Sequence, residues 1–146
     1  MKYNRYPKRD AVKNYFPLPN EIFSLGLSGG EILVYTYLMY REDRETFQCH
    51  PSYKTIGEAV GMSNNTVKKY VDGLVEKRLI TTEPTSVITK KGEKRNGNLL
   101  YTIRPIQEAV DHFNAEQLRK AEREMARLNV IRKLEEYDRK HPKVAV

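Results

Sequence analysis

The sequence predicts an α+β fold that is mostly α-helical, with a three-helix core, a β-hairpin and one long C-terminal helix. Three observations predict it. Between residues 28 and 77, three stretches with helical apolar spacing follow one another, each opened by a serine. A β-branched segment with a polar, glycine-bearing tip comes next and is typical of a hairpin. From residue 106 to about residue 140 the chain has no glycine or proline and is rich in helix-forming residues.

Composition limits the classes of partner. The chain has 146 residues and a net charge of +7, with 39% hydrophobic and 31% charged residues. Residues 1–104 carry 17 Lys and Arg against 11 Asp and Glu, whereas residues 105–146 carry 9 against 8. A basic excess confined to the first part of the chain suits a polyanion, either nucleic acid or an acidic membrane surface. Ordinary basic solubility is the alternative.

The sequence shows no sign of an enzyme, a cofactor site or a metal site. Its three histidines are far apart, and neither of the common glycine-rich nucleotide-binding motifs occurs. The one cysteine, Cys49, is expected to be a small residue of the core or its rim. No apolar run is long enough to span a membrane, and the first residues lack the apolar stretch of a signal peptide. We therefore expect a cytoplasmic, nucleoid-associated protein without a membrane partner.

The N-terminal segment is basic and aromatic. Residues 1–15 are predicted to form a basic arm, with a short edge strand at residues 12–16. Pro17 and Pro19 block helix formation, and residues 20–23 are predicted to form a single helical turn.

The first long helix is predicted to begin at Ser28. Glu31 follows three residues later and completes a capping box. Gly29 and Gly30 then belong to the first turn, and helical apolar spacing continues to about Tyr40. Its apolar members are Ile32, Leu33, Val34, Tyr35, Tyr37, Leu38 and Met39. Residues 41–45 are expected to form a charged, solvated exit.

Two further helices meet at a tight turn. Ser52 is predicted to cap the second helix, and Gly61 to end it. Ser63 is predicted to cap the third helix, which runs to about Lys77. One face of that helix carries Val67, Tyr70, Val71, Leu74 and Val75. Two helices joined by a three-residue turn that contains glycine form a helix-turn-helix.

A hairpin is predicted directly after the third helix. Residues 80–83, 85–89 and 99–103 favour strand, and Lys90 to Asn98 form the polar tip, with a turn at Asn96-Gly97. A hairpin in this place is a wing. Residues 16–104 are therefore predicted to form a winged helix-turn-helix domain.

Residues 105–146 are predicted to form a separate C-terminal helix, with a break near residues 112–114. The apolar residues do not keep a heptad spacing, which argues against a long coiled coil. An amphipathic helix of this length still needs a partner surface, either a second copy of the chain or its own core.

The start of the third helix has the residue types that read DNA. Asn makes paired hydrogen bonds to adenine, Lys reaches guanine or phosphate, and the acids come later in the helix. The candidate base-reading residues are Asn64, Asn65 and Lys68. The candidate phosphate contacts are Ser52, Tyr53, Lys54, Ser63, Thr66 and Lys69. A solvated helix face is the alternative for the lysines, and capping is the alternative for Ser52.

The predicted hairpin tip is basic. Its candidate DNA contacts are Lys90, Lys91, Lys94 and Arg95, with Arg95 suited to a narrow minor groove. A cluster of charges that prevents edge-to-edge aggregation is the alternative.

The motifs resemble a known family. Leu27-Ser28 with Glu31-Ile32, Cys49 to Tyr53, Gly61 to Val67 and Leu79-Ile80 are similar to bacterial winged helix-turn-helix modules of plasmid, phage and mobile-element proteins. The N-terminal domain of plasmid replication initiators is one example, and GntR-type and MarR-like transcription regulators share the same core pattern. The resemblance implies that Ser63, Asn64, Asn65 and Lys68 form the DNA-contacting helix start, and that Lys90 to Arg95 form the wing. GntR-type regulators usually carry arginine where Asn64 or Lys68 stands, which implies a different target sequence.

The expected function is sequence-specific binding of double-stranded DNA without catalysis, in transcription regulation or replication initiation. A winged helix used only for protein–protein interaction is the alternative from another class. Binding of acidic lipid through the N-terminal arm is a weaker alternative, because the sequence has no basic amphipathic helix.

Overall fold

The structure, a computed structural model, describes residues 15–143. A 3₁₀ turn at Asn20–Phe23 precedes the long elements, as predicted. The helices are α1 (Gly29–Arg41), α2 (Tyr53–Val60), α3 (Asn64–Glu76) and α4 (Ile106–Lys140). The strands are β1 (Gln48–Cys49), β2 (Ile80–Glu83), β3 (Ser86–Ile88), β4 (Lys94–Asn96) and β5 (Leu100–Ile103).

The N-terminal predictions fall mostly outside the described residues. This applies to the basic arm at residues 1–15 and to most of the edge strand at residues 12–16. Tyr15 and Phe16 are described and lie in irregular backbone rather than in a strand.

Three serine caps begin the three core helices, which confirms their predicted starts. The Ser28 Oγ atom accepts a hydrogen bond from the Glu31 backbone N–H at 3.2 Å, and the Glu31 carboxylate accepts from the Ser28 N–H at 3.0 Å. Ser52 and Ser63 each accept from the backbone N–H three residues later. Each cap satisfies an N–H group that the helix itself leaves unpaired.

The turn between α2 and α3 depends on two glycines. Gly61 ends α2 at φ 72°, in the left-handed region that favours glycine. Gly57 lies under the turn, where a Cβ atom would stand only 2.3 Å from the Met62 carbonyl oxygen. The Met62 N–H donates to the Gly57 carbonyl at 2.9 Å. This close backbone approach sets the path from α2 into α3.

The core lies between the three helices and the sheet. Its largest fully buried side chains are Tyr35, Tyr101, Ile22, Leu38, Ile56, Leu74, Leu79, Ile80, Val34, Val67 and Val71. On α3 the predicted inner face is therefore confirmed at Val67, Val71 and Leu74, whereas Tyr70 and Val75 are half-buried. Burial of these apolar side chains is the main force that fixes α3 on α1 and α2.

The sheet differs from the predicted hairpin. Strand β5 lies between β1 and β2, and both neighbours are antiparallel to it. The sequence interpretation missed β1, a strand of only two residues. Beyond Pro84, β3 pairs with β4, with Val87 opposite Arg95. The hairpin reverses at Gly92, where φ is 79°.

The predicted turn at Asn96-Gly97 is therefore wrong. Asn96 lies in β4, opposite Ser86. The Gly97 N–H donates to the Thr85 carbonyl at 2.8 Å, and the Thr85 hydroxyl donates to the Asn98 carbonyl. These bonds hold the two strands of the wing together at the place where the sequence favours a reversal.

The charged exit after α1 is not uniformly solvated. Glu42 is buried and accepts a hydrogen bond from Arg44 at 2.7 Å, so the prediction for residues 41–45 was wrong at this position. Cys49 is buried, as expected of a small core residue.

The C-terminal helix is continuous, and the predicted break near residues 112–114 is absent. Ala109 is buried in the core, and Ile106, Val110 and Phe113 pack against it. The first part of α4 therefore belongs to the same core as the three helices. Every residue from Gln117 to Lys143 is exposed. None of the helices within residues 15–143 is long and apolar enough to cross a membrane.

Candidate nucleic-acid interface

The first turn of α3 is an exposed polar surface. Asn64 and Asn65 are exposed, and within residues 15–143 their side chains make no hydrogen bond. Ser63, the cap, precedes them, and Val67 directs the opposite side of the helix into the core. The two amides are therefore available, and they stand at the positive end of the helix dipole, which favours an anion.

The hydroxyls of the first turn serve the helix cap. The Ser63 Oγ atom accepts from the Thr66 N–H at 3.3 Å, and the two hydroxyl oxygens lie 2.9 Å apart. The same arrangement recurs at Ser52 and Thr55. Ser52, Ser63 and Thr66 thus already have a structural role, which they would keep during any phosphate contact.

Lys68 is not a free cation. Its ammonium donates to the Asp72 carboxylate at 3.1 Å, one turn further along the exposed face. This hydrogen bond raises the pKa of Lys68. The sequence interpretation took Lys68 as unpaired, although the four-residue spacing to Asp72 is a recognisable signal for such a pair. Contact with DNA would require Lys68 to leave Asp72.

Lys69 and Lys54 lie beside this surface. Lys69 is exposed, with its ammonium 5.6 Å from the centre of the Tyr70 ring. Lys54 is exposed at the start of α2, where its ion pair among the described residues is a long one, 4.0 Å, with Glu58. Both lysines can reach outward with little loss of existing contacts.

Tyr53 connects α2 with this surface. It is half-buried, and burial together with the nearby Asp72 carboxylate raises the pKa of its phenol. The phenol is therefore protonated at neutral pH and can donate a hydrogen bond. Tyr53 also lines a small cleft with Asn98 of the wing, so it lies between the helix-turn-helix and the wing.

The wing carries four exposed cations. Lys94 and Arg95 lie in β4, and Lys90 and Lys91 lie at the reversal before Gly92. Arg95 approaches Glu93 at 3.4 Å. The three lysines have no ion-pair partner among the described residues. The wing therefore offers a concentrated positive charge.

Asn98 fixes the base of the wing. Its side-chain amide donates to the His50 carbonyl at 3.2 Å, just before α2. Sequence interpretation assigned Asn98 only to the polar tip. Nothing in the local sequence indicates a partner 48 residues away, because this contact exists only in the folded chain.

A partly buried ion pair joins the C-terminal end of α3 to the first turn of α1. The Lys77 ammonium donates to the Glu31 Oε1 atom at 2.7 Å and to the Gly26 carbonyl at 3.3 Å. Gly73 leaves room for the carboxylate, because a Cβ atom there would lie 2.6 Å from the Glu31 Oε2 atom. Burial raises the pKa of Glu31, but the hydrogen bonds from Lys77 and Ser28 outweigh burial and hold the pKa below its ordinary value.

Part of the chain is similar to a known domain family. A helix-turn-helix domain family matches residues 25–80. The fold is similar to that of a possible transcriptional regulator from Methanosarcina mazei Go1, at 16% identity, with 73% of this chain and 81% of that chain covered and a TM-score of 0.50.

Two other solved structures match less well. A MarR family regulator from Silicibacter pomeroyi has 17% identity, with 78% of this chain and 74% of that chain covered and a TM-score of 0.39. The MepR–DNA complex of S. aureus has 15% identity, with 80% of this chain and 86% of that chain covered and a TM-score of 0.37. No match was found among curated proteins.

The matched segment, residues 25–80, begins before α1 and ends at the first residue of β2, so it contains all three core helices. The strands that follow supply the wing. The chain carries a helix-turn-helix domain in the winged form, followed by a long C-terminal helix.

Proposed function

We propose that the protein binds double-stranded DNA in a sequence-specific and non-catalytic manner, in the cytoplasm. The observation that carries the proposal is the polar start of α3, where two exposed amides are followed by two exposed lysines, in a domain that also carries a basic wing. In helix-turn-helix proteins the second helix of the motif enters the major groove with its N-terminal residues on the bases. Asn64, Asn65 and Lys68 are the proposed base-reading residues.

The proposed phosphate contacts surround that surface. They are Ser52, Tyr53, Lys54, Ser63, Thr66 and Lys69 on the helices, and Lys90, Lys91, Lys94 and Arg95 on the wing. The wing cations support this assignment because they are exposed and weakly paired. Such contacts position the protein on the duplex without reading its sequence.

A salt titration of DNA binding tests the proposal. About six phosphate contacts should make the logarithm of affinity fall with the logarithm of salt concentration at a slope of roughly −5. Lys94→Ala should reduce that slope by about 1. Lys133→Ala, which removes the same charge from the exposed part of α4, is the matched control and should leave the slope unchanged. A flat salt response of the wild-type protein would instead support a protein–protein interaction module.

Base reading is separated from phosphate contact by sequence selection. A library of random duplexes should yield a preferred site, and Asn64→Ala should relax that preference at one position. Lys69→Ala should weaken binding to all DNA sequences alike if Lys69 contacts phosphate. Selection of no preferred site would refute sequence-specific reading while leaving general DNA binding intact.

We also propose that α4 joins two copies of the chain. From Gln117 onward every described residue of the helix is exposed, although the helix carries large apolar side chains. At about 100° per residue these side chains fall into two patches on roughly opposite sides of the helix. The proximal patch is Leu118, Ala121, Met125 and Leu128, and the distal patch is Val130, Ile131, Leu134 and Tyr137.

The proximal patch is the better candidate for the contact between two copies of the chain. Its spacing of three, four and three residues matches the repeat of packed helices, whereas the distal spacing of one, three and three drifts around the helix. Met125→Asp should therefore give a monomer by light scattering, and Leu134→Asp should leave the wild-type mass. If the wild-type protein is a monomer at high concentration, α4 does not join two copies. If both variants are dimers, the proximal patch is not the surface that joins them.

The biological role follows from the arrangement of binding sites. A symmetric dimer would require an inverted repeat, with half-sites about one helical turn apart. A replication initiator would favour repeats in the same direction. Footprinting on selected DNA that shows inverted half-sites would support transcription regulation, and direct repeats would support replication initiation.

A further inference from the structure

A groove lies on the side of the domain where α1, the turn after it, β5 and the start of α4 meet. Its volume is about 370 Å³. Its lining is largely apolar and aromatic, with Tyr35, Met39, Phe47 and Ile103 as the largest members. None of the candidate DNA-contacting residues lines it. The groove is therefore separate from the candidate DNA-contacting surface.

A buried carboxylate lies in the wall of this groove. The Glu42 side chain is 4% exposed, and its Oε1 atom accepts from Arg44 at 2.7 Å. Its Oε2 atom has no hydrogen-bond partner among the described residues. Burial raises the pKa of Glu42, and Arg44 offsets this only in part. A buried carboxylate oxygen without a donor is costly, so this site favours an added N–H group.

Phe47 holds an uncommon conformation at the rim of the groove. Its φ is 59°, a value rare for an aromatic residue, and its side chain is 53% exposed. Two backbone bonds fix it: the Phe47 N–H donates to Asp43 at 2.7 Å, and the Ile103 N–H donates to the Phe47 carbonyl at 2.8 Å. The turn thus keeps an aromatic ring beside the groove instead of burying it.

The cations near the groove are already engaged. Arg104 lines it, but its guanidinium donates to Glu108 at 3.0 and 2.7 Å. Arg44 is half-exposed, and within residues 15–143 its ion-pair partner is Glu42. The site therefore combines an acceptor that lacks a donor with aromatic rings, and both groups attract a cation that has an apolar body.

We propose that this groove binds a small amphipathic organic cation, with its apolar body against Tyr35 and Phe47 and its N–H donors on the Glu42 carboxylate. Because the Oε2 atom is itself buried, the cation would reach the carboxylate by replacing the half-exposed guanidinium of Arg44. A neutral amide of the same shape would offer the carboxylate only uncharged N–H donors, and an anionic ligand would offer none and be repelled.

Three probes of one shape and different charge test the proposal: benzamidine, benzamide and benzoate. Each is titrated into the full chain and followed by the amide resonances of the protein. Benzamidine should bind with a Kd of roughly 1 mM, in the range expected for so small a ligand, and about tenfold tighter than benzoate. The largest shifts should occur at Phe47 and Ile103. Because no DNA is present, the outcome is independent of the DNA-binding proposal.

Variants assign the binding to named groups. Glu42→Gln keeps the shape of the side chain and should weaken the binding of benzamidine about tenfold, to the affinity of benzamide. Glu45→Gln, an exposed residue of the same turn, is the matched control and should bind as the wild type does. If Glu42→Gln does not fold, Phe47→Ala serves instead, because the exposed ring contributes little to the core, and it should weaken benzamidine severalfold. Equal binding of the three probes, shifts located elsewhere, or wild-type affinity in these variants would overturn the proposal.

Discussion

Replacing Lys77 by methionine tests how α3 is held on α1. The substitution keeps most of the side-chain length and removes the ammonium that donates to Glu31 at 2.7 Å. Glu31 would then keep a buried charge next to Gly73, and in the part of the chain that the structure describes its Oε2 atom already has no hydrogen-bond partner. Loss of one member of a fully buried ion pair costs about 3–5 kcal/mol, whereas an exposed pair contributes less than about 1 kcal/mol.

The exposure of the two side chains places this pair between those limits. The Glu31 side chain is 7% exposed and that of Lys77 is 36% exposed, so solvent screens the ammonium but hardly the carboxylate. We expect a loss of about 2 kcal/mol in the free energy of unfolding at pH 7. For a chain of this size, that loss lowers Tm by about 4–8 °C.

The effect should depend on pH in a definite direction. In the wild type the pKa of Glu31 lies below its ordinary value. The stability that the charged Glu31 adds to the fold is therefore fully present above the pKa that Glu31 has in the unfolded chain. This stability is lost as the pH falls through the pKa that Glu31 has in the folded chain. Without Lys77, only the Ser28 hydrogen bonds oppose burial, so the pKa of Glu31 should be higher than in the wild type, and acid should relieve more of the cost of the buried charge. The difference between variant and wild type should therefore be largest at pH 7 and shrink below about pH 4.

Urea denaturation at pH 7 and pH 4 measures both effects. Lys69→Met is the matched control, because Lys69 lies exposed on the same helix and has no ion pair within the described chain. The double variant Lys77→Met/Glu31→Gln should recover much of the lost stability. An equal loss in the control, or a difference that does not change with pH, would refute this account of the pair.

Three further outcomes are expected. Gly57→Ala should destabilise the fold by about 1–3 kcal/mol in urea denaturation, because its Cβ atom would meet a carbonyl oxygen at 2.3 Å, whereas Gly29→Ala meets nothing within 4 Å and should be tolerated. Asp72→Asn should release Lys68, tighten DNA binding severalfold and steepen the salt slope by up to about 1, and an unchanged slope would place Lys68 outside the interface. Cys49 should resist a thiol reagent at pH 8 until the chain is unfolded, because burial raises the pKa of its thiol to about 11; rapid labelling of the folded protein would contradict this.

The helix starts were predictable because their contacts are local. A serine that accepts from a backbone N–H three residues later appears in the sequence as a fixed spacing, as at Ser28 and Ser63. The Lys68–Asp72 pair is equally local, and the same inspection of spacing would have found it. The polar start of α3 was correctly placed on the surface because the apolar face at Val67 and Val71 determines the opposite side.

The wing was not predictable to the same degree. Asn96-Gly97 favours a tight turn, but Asn96 pairs with Ser86 between β3 and β4, and the Gly97 N–H bonds to the Thr85 carbonyl, so the chain does not reverse there. Burial of Glu42 was also beyond the local sequence, because its surroundings come from segments far apart in the chain. Register and burial depend on the assembled fold, so a local signal is overruled where the two compete.

The long α4 helix will affect how the size of the protein is measured. At about 1.5 Å per residue its 35 residues extend roughly 50 Å, and more than half of that length projects beyond the domain. A projection of this kind increases friction in solution without adding much mass. Elution volume alone would therefore make a single copy resemble a dimer, so an oligomeric state for this chain should be taken from light scattering or from sedimentation equilibrium, neither of which depends on shape.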